Sequence, residues 1–124
     1  MNIGIDWDGT ADRYGEAIGK IALLCDKKVI ITLNNTLTVM QVVATLNPRV
    51  SDYIIEVMPD SAFSSGEDTY ESIAKWKLAM CRKHKIDVMI DDEPANCMYL
   101  MNAGVACIKC DGDWELTENK FEVQ

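Results

Sequence analysis

Residues 2–12 read Asn-Ile-Gly-Ile-Asp-Trp-Asp-Gly-Thr-Ala-Asp, and the fold is decided by how this stretch is read. Residues 2–5 are a short apolar run that predicts a buried strand. The run ends in Asp6, Asp8 follows, and Gly9 with Thr10 break the strand. Two acids at the end of a buried strand are costly unless a cation compensates them. A divalent metal is the simplest compensation, because hard ions such as Mg²⁺ take oxygen ligands.

Outward from this stretch the chain alternates. Residues 13–25 carry Ile18, Ile21, Ala22 and Cys25 at helical spacing, with Asp12 as a candidate cap. Residues 28–33 contain the β-branched run Val-Ile-Ile-Thr and predict a second buried strand. Asn34-Asn35-Thr36 is a turn, with Asn35 or Thr36 placed to cap a helix over 37–46, and Asn47-Pro48 stops it. A third strand follows at 52–57, a Pro/Ser/Gly-rich loop at 58–66 and the longest helix at 67–84. A fourth strand at 87–90 leads to a helix at 95–102, with Pro94 at its start and Gly104 beyond its end. A fifth strand occupies 105–108.

This βαβαβαβαβ order predicts an α/β fold, a three-layer α/β/α Rossmann-like arrangement around a five-stranded, mostly parallel sheet. At 124 residues the chain reads as one domain, 1–124. In such sheets the site lies beyond the carboxyl ends of the strands, near the switch in strand order. Asp6 and Asp8 follow strand one, Thr32 ends strand two, and Asp91, Asp92 and Glu93 follow strand four. All should crowd one rim. Carboxylates from different strands can hold one Mg²⁺, and a lysine can offset the charge of nucleophile and phosphate. A free carboxylate can attack phosphorus, while a second acid protonates the leaving alkoxide and then activates water.

These residues resemble the haloacid dehalogenase (HAD) superfamily, in its phosphatase branch. Asp6-Trp7-Asp8-Gly9-Thr10 is similar to the first motif, D-x-D-G-T, and Thr32 to the second. A lysine in the long helix stands for the third, and Asp91-Asp92 for the acidic fourth. The Lys-Trp-Lys helix, the Ile-Asp-Asp turn and the later Cys-Asp-Gly-Asp-Trp add a weaker likeness to the phosphatase domain of phage polynucleotide kinase. The resemblance implies a HAD-like hydrolase domain, a Mg²⁺-dependent phosphomonoesterase working through an aspartyl-phosphate. Asp6 would be nucleophile and metal ligand. Asp8 would be general acid/base, with its backbone carbonyl on the metal. Thr32 would bind the phosphoryl group, and Asp91, Asp92 or both would complete the metal shell. For the lysine, Lys75 is favoured because it lies nearer the helix start, with Lys77 as the alternative. The two point roughly 200° apart on a helix, so only one can face the site.

The short spacing between Asp8 and Leu33 leaves no room for a cap domain, so a capless, open site is expected. Trp7, Gly9, Thr10, Asn34 and Asn35 border it as substrate-binding candidates, as do the 61–66 loop and residues 111–114. The implied partner is a phosphorylated small molecule or a nucleotide, and a neighbouring copy in a homo-oligomer could serve as lid. A metal- or phosphate-binding module without turnover is the alternative. A bacterial receiver domain also gathers Asp, Thr and Lys, but there the acid pair comes first and the lysine late, the reverse of this order.

Composition narrows the field. Net charge is −8, which argues against a general nucleic-acid backbone binder. No apolar run is long enough to span a membrane, and the N-terminus lacks a basic region followed by an apolar one. Five cysteines in mostly apolar surroundings read as reduced thiols in a cytoplasmic protein. Cys107-x-x-Cys110 lacks a second pair to complete a zinc site and reads as strand-end residues. His84 reads as a surface partner of the helix end, and Met98, Tyr99 and Met101 as core.

Overall fold

The computed structural model describes residues 1–46 and 52–110. Residues 47–51 and 111–124 lie outside the described residues, and with them the Asn47-Pro48 helix stop and the rim candidates at 111–114. The strands are β1 (Asn2–Ile5), β2 (Lys27–Thr32), β3 (Ile54–Val57), β4 (Val88–Asp91) and β5 (Ala106–Lys109). The helices are α1 (Asp12–Leu23), α2 (Val39–Thr45), α3 (Thr69–Lys83) and α4 (Pro94–Asn102). The strands form one sheet in the order β3-β2-β1-β4-β5, and every pairing is parallel. That order is the Rossmann-like one, with its reversal between β1 and β4.

Alternation along the strands divides the core between the two sheet faces. Ile3, Ile5, Ile30 and Ile90 pack with Ile18 and Ala22 of α1 and Val42 of α2. Val29, Ile31 and Met89 pack with Trp76, Leu78 and Cys81 of α3 and Leu100 of α4. β1 is the central strand, and Ile3 and Ile5 are fully buried. Each such side chain stabilises the fold by about 1.5–3 kcal/mol. Among the described residues, no helix is long and apolar enough to cross a membrane.

Several local expectations are corrected. Thr38, not Asn35 or Thr36, caps α2, in a reciprocal capping box with Gln41. Asn34 makes a local turn instead, its Oδ1 accepting from Thr36 N at 3.0 Å and Thr36 Oγ1 at 2.7 Å. Asp12 does not cap α1; its Oδ1 accepts the Gly9 N–H at 2.8 Å and so braces the preceding loop. His84 is buried, with Nε2 2.6 Å from Glu56 Oε2, and ties the end of α3 to β3. Met98 and Met101 are 62% and 51% exposed on α4 and are not core.

Candidate active site

The chain switches direction across the sheet between β1 and β4, and a crevice opens beyond the carboxyl ends of those strands. The two ends are joined by a backbone hydrogen bond from Asp6 N to Ile90 O at 2.9 Å. A cleft of about 200 Å³ lies there, lined by Asp6, Asp8, Thr32, Lys77, Asp91 and Asp92, together with Leu33, Tyr70, Ile73, Glu93 and Asn96. The acids of β1 and β4, Thr32 of β2 and one lysine of α3 therefore meet on one rim.

That lysine is Lys77. Its Nζ donates to Asp6 Oδ1 and Asp91 Oδ2, each at 2.8 Å, and its side chain is 2% exposed. Lys75, favoured from its place near the helix start, points to the surface instead. Its Nζ pairs with Glu67 at 2.7 Å and Glu71 at 3.4 Å. Nearness to the rim along the helix axis did not decide the matter; the buried face of the helix did, and Lys77 shares it with Ala74, Leu78 and Cys81.

Asp91 is fully buried and held from several directions. Its Oδ1 accepts from Glu93 N at 2.9 Å, and its Oδ2 also accepts from Asn96 Nδ2 at 3.4 Å. Thr10 is fully buried, and its Oγ1 lies 3.1 Å from Asp6 Oδ2 and 3.3 Å from Asp92 Oδ1. One hydroxyl proton serves two carboxylates, so Thr10 supports the acids and does not line the cleft.

Gly9 has φ +80°, and a Cβ there would fall 2.3 Å from Asp92 Oδ2. Only glycine allows both the backbone and the close approach of that carboxylate. The Gly9 N–H is already used by Asp12, which removes it as a phosphate donor. Trp7, expected at the substrate, is buried in the core on the α1 side of the sheet. Asn34 and Asn35 are not among the lining residues either.

Asp6, Asp91 and Asp92 offer one carboxylate oxygen each, all within 4.8 Å of one another. Opposite ligands of a small octahedral cation stand about 4.2 Å apart and adjacent ones about 3.0 Å, so the three oxygens would draw together around a hard divalent ion. Charge points the same way: three carboxylates against one ammonium leave two negative charges. Burial pushes the Asp6 carboxyl up to about 7; Lys77 works against that rise, while Asp91 and a hydrogen bond with Asp92 add to it. A cation among these acids would favour the ionised form of Asp6. Burial alone would lower the Lys77 ammonium, but the charges of Asp6 and Asp91 outweigh it and hold it above its usual value.

Two further groups complete the cleft. Thr32 is buried at the end of β2, where its Oγ1 accepts from Asn34 N at 3.0 Å, so its own proton can be given to a ligand. Asn96, which sequence reasoning missed, is 4% exposed, and its Oδ1 has no hydrogen-bond partner among the described residues. A buried carbonyl of this kind calls for a donor, such as an ordered water or a ligand hydroxyl. Its signal was present in the Asp91-to-Asn96 spacing across the first turn of α4. Asp8 is exposed and lines the cleft outside the three-acid cluster.

The chain matches no family model, and neither the curated proteins nor the solved structures searched contain a significant match.

Proposed function

We propose that this protein is a Mg²⁺-dependent phosphomonoesterase of HAD-like type, without a cap domain, that works through an aspartyl-phosphate on Asp6. The observation that carries the reading is the Lys77 bridge between Asp6 and Asp91 at the floor of a cleft with exposed Asp8 on its rim. A buried lysine there neutralises the nucleophile and the incoming phosphate together. The absence of a cap is supported by the connections: among the described residues, α2 is the one helix between β2 and β3, and residues 58–68 join β3 to α3 with a single helical turn at Asp60–Ala62.

The residues that would hold Mg²⁺ are Asp6, Asp91 and Asp92, with the Asp8 carbonyl as the fourth protein donor implied by the family. The ion would supply charge neutralisation and alignment of the phosphate oxygens. In the first half-reaction an Asp6 carboxylate oxygen bonds to phosphorus as the ester P–O bond breaks. Asp8, as the acid, gives its proton to the departing alkoxide. In the second, Asp8 as the base takes a proton from water, whose oxygen bonds to phosphorus as the bond to Asp6 breaks. Alcohol and inorganic phosphate leave, and both carboxyl groups return to their starting state. Such proton transfer contributes typically 10²- to 10⁴-fold. Thr32 donates its hydroxyl proton to a phosphoryl oxygen, and Lys77 keeps Asp6 oriented.

The test is hydrolysis of an aryl phosphate with Mg²⁺. Wild type should turn over, and both Asp6→Asn and a chelator should abolish the activity. Magnesium binding with no turnover of any phosphomonoester would instead leave a binding module.

A further inference from the structure

The walls of the same cleft carry information about the leaving group. Tyr70 is 59% exposed and Leu33 40% exposed, and both line the cleft with half-buried Ile73. They come from two elements: Leu33 follows the end of β2, and Tyr70 and Ile73 stand on the first two turns of α3. Scattered exposed apolar residues are ordinary, but three that converge on a polar cleft form a surface for a ligand.

The charges are equally selective. Asp8, Asp92 and Glu93 line the cleft beside buried Asp6 and Asp91. Among the described lining residues Lys77 is the one cation, and its ammonium is bonded to two aspartates. It offers no group to a second phosphate or a carboxylate away from the reacting centre. Among the described residues, a further anion would meet Asp8 and Glu93 with no second lining cation to balance it, and like-charge placement of this kind rejects a ligand.

We infer that the substrate carries a single phosphate on an uncharged alcohol bearing a flat ring, and that Tyr70, with Leu33 and Ile73, binds that ring. The inference rests on the phosphomonoesterase reading of the cleft and names its substrate class. A phenyl-type alcohol and a nucleoside share this chemistry; sugar bisphosphates and acidic phosphopeptides do not.

The test compares kcat/KM within pairs that keep the leaving alkoxide alike. Benzyl phosphate is set against ethyl phosphate, adenosine 5′-monophosphate against ribose 5-phosphate, and fructose 6-phosphate against fructose 1,6-bisphosphate, all with Mg²⁺. The ring-bearing member should win by about tenfold, the size of one base–aromatic stacking contact. Preference in the first pair alone selects a small aromatic alcohol, and preference in the second as well selects a nucleoside. The bisphosphate should be the poorer of the last pair. Tyr70→Ala should collapse the ring preference toward unity. Equal turnover within the first two pairs, or a ratio unchanged in Tyr70→Ala, overturns the inference and leaves the phosphatase reading standing. Failure to turn over any of the six overturns both.

Discussion

Lys77 Nζ lies 2.8 Å from Asp6 Oδ1, and this contact pins α3 to the carboxyl end of β1. The same ammonium reaches Asp91 on β4 at 2.8 Å, so one side chain spans the point where the strand order reverses. Replacing it leaves two carboxylates without compensation in a buried site. We expect Lys77→Met to lose about 3–5 kcal/mol of stability, measured by denaturant unfolding without metal. Turnover should fall by about 100-fold or more. Lys75→Ala removes only surface pairs with Glu67 and Glu71 and should stay within about 0.5 kcal/mol of wild type. The opposite ranking would return the site to Lys75.

How far the sequence alone reached is visible in these two lysines. The strands were legible because a parallel sheet buried on both faces writes continuous β-branched runs, as in Val29–Ile31. The rim was legible because strand ends in such a sheet share one side. Side-chain direction on α3 was not, since Lys75 and Lys77 flank Trp76 in a stretch whose apolar stripe fits more than one register. Trp7 failed for a related reason: its place between two site acids suggested the cleft, yet a residue flanked by two cleft-lining acids is itself turned to the core. His84 was missed as a partner because the group it faces, Glu56, stands on a distant element, whereas Asn96 lies a short step from Asp91 and its spacing went unread.

Gly9 is the second test of the geometry. Gly9→Ala combines a φ of +80° with a Cβ 2.3 Å from Asp92 Oδ2. Gly66 has the same φ but nothing within 4 Å of a Cβ. Gly66→Ala should therefore cost about 1 kcal/mol of backbone strain alone. Gly9→Ala should cost more and should also weaken divalent-metal binding, read by calorimetric titration. Equal effects at both positions would mean that Asp92 does not depend on the Gly9 approach.

Metal binding should stabilise the fold by linkage. At a free Mg²⁺ concentration 100 times its Kd, the gain is about 2.7 kcal/mol, seen as a rise in Tm. Asp92→Asn leaves the Lys77 bridge intact and removes one ligand charge, so it should lower the affinity by on the order of tenfold or more. A Tm unmoved by Mg²⁺, Mn²⁺ or Ca²⁺ would remove the metal from the account.

Acid stability should report on Glu56. Burial opposes its ionisation, but hydrogen bonds from Lys83 and His84 outweigh that and hold the carboxyl below its ordinary value of 4.5. A depressed acid contributes stability that is fully present above the unfolded value and is lost as pH falls through the lower, folded value. Wild type should therefore exceed Glu56→Gln in unfolding free energy above about pH 5, with the gap closing on further acidification. A gap that persists unchanged to pH 3 would assign Glu56 a packing role only.

The covalent role of Asp6 is the centre of the account, and the Asp8→Asn variant exposes it. An aryl leaving group needs little help from an acid, so this variant should still accept the phosphoryl group while water attack is slowed. Acid-quenched Asp8→Asn protein, after mixing with aryl phosphate and Mg²⁺, should yield a phosphorylated peptide by mass spectrometry. The phosphoryl group should map to Asp6. Steady turnover with no adduct on Asp6, or an adduct on another residue, would contradict it.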